Sequence, residues 1–156
     1  MRVGHGFDAH RLAPGRPLML GGVAVESEVG AVGHSDGDVL AHALGDAVLG
    51  ACALGDLGSH FPSTDHRWKD ANSIELLRGC AALVKLRGFA LENVDATVIV
   101  ERPRLAPYVE LMRGRIAEAL GLEMQYVSVK AKSSDGMGYT GDGTGIAAHA
   151  LACVTS

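Results

Sequence analysis

Segments with strand periodicity alternate with segments bounded by helix signals, and this order limits the folds that the chain can adopt. Residues 93–101 and 126–133 alternate between apolar and polar side chains, which predicts two half-buried strands. Residues 1–10 and 145–154 are predicted to form the first and last strands. The side chains expected to face inward are Val94, Ala96, Val98, Val100, Val127, Val129 and Ala131.

The first predicted helix spans about residues 38–54, after a turn in which Asp36 or Asp38 can accept N–H groups of the first helical turn. Residues 11–34 contain paired glycines and two prolines, which predicts a loop and a short hairpin. Residues 55–66 are predicted to be irregular.

Two further helices follow. Asn72 and Glu75 resemble a capping box at the start of the second helix, which is predicted to stop at Gly88. Pro107 and Gly121 bracket the third helix. The whole order predicts an α+β fold, with helices packed on one face of a mixed four- or five-stranded sheet.

Length and composition favour one globular domain, residues 1–156, with few aromatic side chains in its core. The formal net charge is −4 and there is no basic run, which argues against a nucleic-acid partner. No apolar run approaches the ~18 residues of a membrane span, and no leader segment is evident at the N-terminus. Cys52, Cys80 and Cys153 lie far apart, as reduced thiols of a cytoplasmic protein would.

A candidate metal site begins with Asp8 and His10, which point to the same side of the first strand, opposite Val3 and Phe7. His42 on the first helix would complete a set of two imidazoles and one carboxylate, which is typical of zinc with an open position. The neighbouring carboxylates Asp38 and Asp46 could orient the His42 ring. The alternative is that these histidines are ordinary polar side chains with satisfied hydrogen bonds.

Two other segments could bind phosphate. His34 precedes the first helix, where it could donate to an anion or simply lie on a surface turn. Lys132, Ser133, Ser134 and Asp135 enter a glycine-rich loop that suits phosphate and a Mg²⁺ ion, or that forms an ordinary solvated hairpin. A P-loop is excluded because no GxxxxGK[ST] motif is present.

Three segments together resemble one enzyme family: GHGFDAH at 4–10, the run beginning HSDGD at 34–65, and VKAKSSDGMGYTG at 129–141. The resemblance is to 2-C-methyl-D-erythritol 2,4-cyclodiphosphate synthases and covers nearly the whole chain. It implies a cytoplasmic, cyclising phosphorus–oxygen lyase of the non-mevalonate isoprenoid pathway. Such enzymes are homotrimers with active sites between subunits. They convert 4-diphosphocytidyl-2-C-methyl-D-erythritol 2-phosphate to the cyclodiphosphate and CMP.

The resemblance also implies roles for the candidate residues. The Asp8, His10 and His42 positions match the family's Zn²⁺ ligands. His34 and Ser133 match positions near the transferring phosphates. Asp135 matches an acidic residue that holds a second cation, Mg²⁺ or Mn²⁺, between the phosphates.

Further positions are expected to contact the substrate. Asp56 and Gly58 match the part that grips the methylerythritol, and residues 100–106 with Lys132 and Ser133 match a cytidine pocket contributed by a neighbouring subunit. The full set of expected substrate contacts is Ser35, Asp46, Asp56, Leu57, Gly58, Phe61, Pro62, Ser63, Thr64, Asp65, Val100, Pro103, Arg104, Leu105, Ala106, Lys132, Ser134 and Tyr139.

The chain departs from the family pattern at several positions. Many members have Thr-Thr-Thr-Glu at 132–135, so Asp135 has a shorter reach here, and Ser63 replaces a frequent Asp. At a central cavity of the trimer, Asp142 and His149 replace an Arg and a Glu. We therefore expect these two residues to pair around the threefold axis and an isoprenoid diphosphate to bind there poorly. A metal-dependent phosphohydrolase and a non-catalytic binding module are the alternative functions.

Overall fold

The computed structural model describes residues 1–156 and has the predicted α+β architecture. Its strands are β1 (Arg2–Pro14), β2 (Leu18–Leu20), β3 (Val23–Val25), β4 (Val29–Ala31), β5 (Ala90–Ile99), β6 (Val127–Lys132) and β7 (Gly145–Thr155). Its α-helices are α1 (Val39–Ala51), α2 (Leu57–His60), α3 (Ser73–Leu86), α4 (Val109–Leu120) and α5 (Gly138–Gly141). Three short 3₁₀ helices lie at His66–Trp68, Ala106–Tyr108 and Met124–Tyr126.

The main sheet has five strands in the order β4-β1-β7-β5-β6, and β2 and β3 form a separate hairpin. The β5–β6 pair is parallel and the other pairs are antiparallel, so the sheet is mixed as predicted. One row of paired residues crosses the sheet from β1 to β6. It runs from Asp8 on β1 through Ala148 on β7 and Val98 on β5 to Ala131 on β6. Asp8 and the last residues of β6 are therefore at the same end of the sheet, three strands apart.

Helix α1 packs directly against the backbone of β1. A Cβ atom on Gly4 would lie 2.0 Å from the carbonyl oxygen of Ala47, and one on Gly6 would lie 1.9 Å from that of Ala43. No side chain fits in this space. The two glycines and the alanine face of the helix thus allow a very close strand–helix contact.

The two faces of the sheet differ in their cover. Val3, Phe7 and Leu151 are exposed by 64%, 47% and 45% respectively, so the face away from the helices carries large apolar side chains. Asp8 and His10 lie on the other side of β1, as predicted, and are half-buried.

Several details of the secondary structure differ from prediction. Ala131, expected to face inward, is exposed because it lies near the end of the edge strand β6, in which burial stops after Val129. The segment 55–66, expected to be irregular, contains α2 because Asp56 caps it with a hydrogen bond from the Ser59 N–H.

The helix ends follow the predicted chemistry with one exception. Asp38 caps α1 through the Ala41 N–H, and Asn72 caps α3 through the Ile74 N–H. Glu75 does not reach back to complete a capping box, because its carboxylate pairs with Arg78 at 3.4 Å. Gly121 ends α4 in the left-handed conformation that the sequence predicts.

All three cysteines are free, and burial raises the pKa of Cys80 to about 12, so this thiol stays protonated. None of the helices combines the length and apolar character that crossing a membrane would require.

The glycine contact between β1 and α1 is testable. We expect Gly6→Ala to lower the free energy of unfolding by about 1–3 kcal/mol or more, because the new methyl group must push the helix away. Gly50→Ala is the matched control, since its Cβ would meet nothing closer than 3.9 Å. This control should be neutral or stabilising by up to about 1 kcal/mol. Chemical denaturation measures both, and equal effects would contradict the close-contact explanation.

Candidate metal centre

Asp8, His10 and His42 converge on one point. The Oδ2 atom of Asp8 lies 2.9 Å from His10 Nε2 and 2.9 Å from His42 Nδ1, and the two nitrogens are 3.4 Å apart. Ligand atoms that surround a tetrahedral Zn²⁺ at about 2.0–2.1 Å lie about 3.4 Å from one another. The three atoms therefore have the spacing of one face of a metal coordination shell.

The fold explains why these residues meet. Asp8 and His10 are two residues apart on β1 and share its helix-facing side. His42 precedes Ala43, the residue whose carbonyl lies over Gly6. The close strand–helix contact thus brings the helical imidazole down to the strand side chains.

Hydrogen bonds orient both imidazoles. His10 Nδ1 lies 3.0 Å from the carbonyl oxygen of Val32, so this nitrogen donates and Nε2 keeps its lone pair for a metal. His42 Nε2 lies 3.0 Å from Ser35 Oγ and 2.8 Å from Ser73 Oγ. Each ring therefore has one nitrogen hydrogen-bonded to the groups around the triad and the other directed at the candidate metal position.

Asp38 and Asp46 do not orient the His42 ring, contrary to expectation. The buried Asp38 carboxylate accepts the N–H groups of Gly21, Gly22 and Ala41, which ties the β2–β3 hairpin to the start of α1. Burial raises the pKa of Asp38 despite these bonds. Asp46 instead accepts the Leu57 N–H at 2.7 Å, and burial likewise raises its pKa.

The electrostatics of the triad favour a cation. Burial opposes ionisation of Asp8, but hydrogen bonds and charges from the protonated forms of His10 and His42 outweigh it and lower its pKa to about 2. When His10 is protonated at both nitrogens it donates to Asp8, which raises the pKa of His10 against the effect of burial. Two nitrogens and one carboxylate oxygen suit Zn²⁺ or another divalent transition metal. The side chains remain 15–25% exposed, so a further ligand can reach the site.

The residues around α2 adjoin the triad through Asp46, one helical turn beyond His42. The Asp46–Leu57 bond fixes the start of α2 there, with Asp56 and Gly58 exposed. His34, in the turn before α1, is also exposed, whereas Ser35 contacts His42 directly.

The following segment is held by its own contacts. The Phe61 ring packs edge-on against Trp68 with centroids 5.0 Å apart. Asp65 pairs with Arg67 at 2.6 Å. The residues between them, Pro62, Ser63 and Thr64, are accessible at the surface.

The predicted cytidine segment lies beside a cavity of about 1060 Å³, which Pro103 and Arg104 help to line. The side chains of Val100 and Leu105 are 5% and 3% exposed and belong to the core. Any contact that these two residues make with a ligand must therefore use their backbone. The Ala106 side chain is exposed.

The loop after β6 has a defined local structure. Ser133 Oγ donates to Glu101 and accepts the Asp135 N–H, both at 2.9 Å. Ser134 bonds to Thr140 at 2.6 Å. The side chains of Lys132 and Asp135 are exposed. Tyr139, in the short helix α5, lines a small cavity together with His10.

The structure does not bring all predicted site residues together within one chain. Lys132 ends β6, three strands from β1. At the usual spacing of about 4.7–4.9 Å between strands, this is roughly 14 Å from the triad. The triad, Ser35 and α2 thus form one group, and residues 100–106 with Ser133 form another.

Sequence reasoning missed two participants, Ser73 and the Val32 carbonyl, and it did not foresee the bond that Glu101, within the predicted segment 100–106, makes to Ser133. Nothing in their local sequence marks them, because Ser73 lies 31 residues from His42 and Glu101 lies 32 residues from Ser133.

The chain is similar to known proteins over nearly its whole length. Residues 1–155 match the YgbB family. The chain is 51% identical over 154 residues to 2-C-methyl-D-erythritol 2,4-cyclodiphosphate synthase of Alkaliphilus oremlandii, which covers 99% of this chain and 98% of that protein. It is 54% identical over 156 residues to the synthase of Salinibacter ruber, covering 100% and 99%. A solved structure of such a synthase bound to CDP superposes with a TM-score of 0.92 at 37% identity, covering 99% of this chain and all of that one.

Metal binding can be tested directly. We expect the wild-type chain to bind zinc, and His42→Ala or Asp8→Ala to weaken binding by more than about 100-fold, because each removes one of three ligands. Competition with a chromophoric chelator measures the affinity. His66→Ala is the matched control, since this histidine is exposed and remote in sequence from the triad. Equal affinities in all four proteins would show that the triad is not the metal site.

Proposed function

The chain belongs to the YgbB family, with close relatives named 2-C-methyl-D-erythritol 2,4-cyclodiphosphate synthases, and we propose how its residues carry out that reaction. The substrate is 4-diphosphocytidyl-2-C-methyl-D-erythritol 2-phosphate. An oxygen of its 2-phosphate attacks the β-phosphorus, the bond from that phosphorus to the cytidylate oxygen breaks, and CMP leaves with the electron pair. The product is the cyclodiphosphate of the non-mevalonate isoprenoid pathway.

The reaction needs no general base. A phosphate monoester has a second pKa near ~6, so its attacking oxygen is already ionised at neutral pH. The protein must instead bring two anionic groups together in line, which is a problem of positioning and charge. The convergence of Asp8, His10 and His42 on one cation position is the observation that carries this proposal.

The triad would hold Zn²⁺ or another divalent transition metal. When bound, such an ion polarises a phosphoryl oxygen and offsets the charge that develops on it. The hydrogen bond from His10 Nδ1 to Val32 keeps the opposite nitrogen available to the ion. The exposed His34 and the neighbouring Ser35 can donate to substrate phosphates.

The loop after β6 would serve the leaving side of the reaction. Asp135 presents an exposed carboxylate that can hold Mg²⁺ or Mn²⁺ together with substrate phosphate oxygens. Ser133 is fixed by Glu101 and the Asp135 N–H, which places its hydroxyl at the same loop. The cavity beside Pro103 and Arg104 would take the cytidine.

Assembly of three copies with active sites between them would bring the triad of one copy together with residues 100–106 and the loop after β6 of another. Linked phosphates of one substrate are too short to span the roughly 14 Å between β1 and β6. A second copy can place its Asp135 loop beside the first copy's triad. The exposed apolar face with Val3, Phe7 and Leu151 offers a surface for this association.

The centre of such a trimer would disfavour an isoprenoid diphosphate. Hydrogen bonds from Thr144 lower the pKa of Asp142, so this carboxylate stays negative and repels an anion. His149 bonds to His5 at 3.2 Å within its own chain. The free cysteines agree with a reducing compartment, and we place the enzyme in the cytoplasm.

The assay is incubation of the purified enzyme with the cytidyl substrate. We expect the cyclodiphosphate and CMP in equal amounts, loss of turnover after treatment with a chelator, and recovery on adding Zn²⁺. Phosphorus NMR and chromatography identify the products. Release of inorganic phosphate would instead indicate a phosphohydrolase, and full activity in the stripped enzyme would contradict the role of the metal centre.

Active sites between subunits predict complementation. Asp8→Ala and Asp135→Ala should each be nearly inactive alone, because each leaves every site with one defect. In randomly mixed trimers about a quarter of the interfaces combine an intact triad with an intact Asp135, so activity should return to about a quarter of wild type. Co-expression of the two chains with different tags provides the mixed enzyme.

Two measurements control this experiment. Asp135→Ala should retain zinc as wild type does, and both variants should have the molar mass of a trimer in sedimentation. No recovery of activity in confirmed mixed trimers would place both residues in the same subunit's site.

A further inference from the structure

Ser73, the first residue of helix α3, connects the metal triad to the Asp36 carboxylate. Its side chain is almost completely buried, with 1% exposure. Its Oγ atom lies 2.8 Å from His42 Nε2 and also makes a short hydrogen bond with Asp36. The other oxygen of Asp36 accepts the backbone N–H of Ser73 at 3.0 Å, so two bonds join these residues.

The hydrogens in this chain of contacts can be assigned by counting. A serine hydroxyl has one hydrogen, and an ionised carboxylate can only accept. Ser73 therefore donates to Asp36 and can only accept from His42. Consequently Nε2 of His42 carries the ring hydrogen, and Nδ1, which lies 2.9 Å from Asp8 Oδ2, keeps the lone pair that a metal requires.

Ser35 differs from Ser73 although it contacts the same nitrogen at 3.0 Å. Its only other hydrogen bond is a long one of 3.5 Å, accepted from the Gly37 N–H. Since Nε2 already carries a hydrogen, Ser35 has no acceptor there for its own. Its hydroxyl hydrogen is free to turn toward a phosphate oxygen.

We propose that Ser73, held by Asp36, is a positioning residue that fixes the His42 tautomer for metal binding and leaves Ser35 free for the substrate. The inference rests on the metal centre of the proposed function. It assigns different roles to two serines at nearly equal distances from one imidazole nitrogen. Ser73 acts on the metal through His42, whereas Ser35 acts on the substrate.

Zinc affinity separates the two roles. Ser73→Ala should weaken zinc binding about 10–100-fold, the usual effect of removing a hydrogen-bond partner from a metal-bound histidine. Ser35→Ala is the matched control. It should leave zinc affinity within about twofold of wild type, because Ser73 still accepts the His42 hydrogen, and it should raise the KM for the substrate.

Imidazole NMR of the zinc-loaded enzyme gives a readout that a merely structural role would not move. The His42 Nε2 hydrogen should give a downfield resonance that exchanges slowly with water. Ser73→Ala should shift it upfield and speed its exchange, and Ser35→Ala should change it little.

Asp36→Asn tests the same series of hydrogen bonds with a side chain of nearly the same shape. An amide can donate to Ser73, which would turn the hydroxyl hydrogen toward His42 and again weaken zinc binding.

The outcomes distinguish this inference from the function on which it rests. A wild-type chain that binds no zinc would remove the metal centre and the inference together. Normal zinc binding by wild type, with unchanged affinity and resonance in Ser73→Ala, would overturn the inference alone. Loss of zinc in Ser35→Ala with none in Ser73→Ala would reverse the two roles and likewise overturn it.

Discussion

The contact between the backbones of β1 and α1 is the constraint on which the rest of the structure depends. Gly4 and Gly6 leave no room for a side chain against the carbonyl oxygens of Ala47 and Ala43. The helix therefore lies closer to the strand than packed side chains would allow. This closeness lets one imidazole on the helix reach the two ligands on the strand without a loop to carry it. A site built on regular elements holds its geometry better than one built on loops.

Polar groups around the triad complete this arrangement. The buried Asp38 carboxylate joins the β2–β3 hairpin to the beginning of α1 through three N–H groups. Asp36, two residues earlier, accepts from Ser73 at the beginning of α3. Neighbouring carboxylates in one turn thus anchor two helices and a hairpin around the ligands. The buried Asp38 carboxyl has hydrogen-bond partners, as burial of a polar group requires.

The order of the strands separates the candidate metal ligands from the loop after β6, and the proposed trimer would close this gap. Strand order β4-β1-β7-β5-β6 separates β1 from β6, although the register brings their ends level. The candidate metal triad and the loop after β6 consequently lie at the same end of the sheet but on strands that are not neighbours. The open apolar face of the sheet supplies the surface through which a neighbouring chain could close this gap.

The sequence by itself determined the class of fold and most element positions, and it named the three residues of the candidate metal site. Alternation along β5 and β6 and the signals at Asp38, Asn72 and Gly121 are local, so a single chain shows them. The prediction of the metal triad depended mainly on the family resemblance. His42 lies on a helix far along the chain from the two strand residues, so no sequence spacing links the three. Only the tertiary structure decided that Ser73 rather than Asp38 or Asp46 orients His42, that Glu101 holds Ser133, and that Ala131 is exposed. These outcomes depend on which elements meet in space, and hydrogen-bond partners more than 30 residues apart leave no periodic or local trace in the sequence.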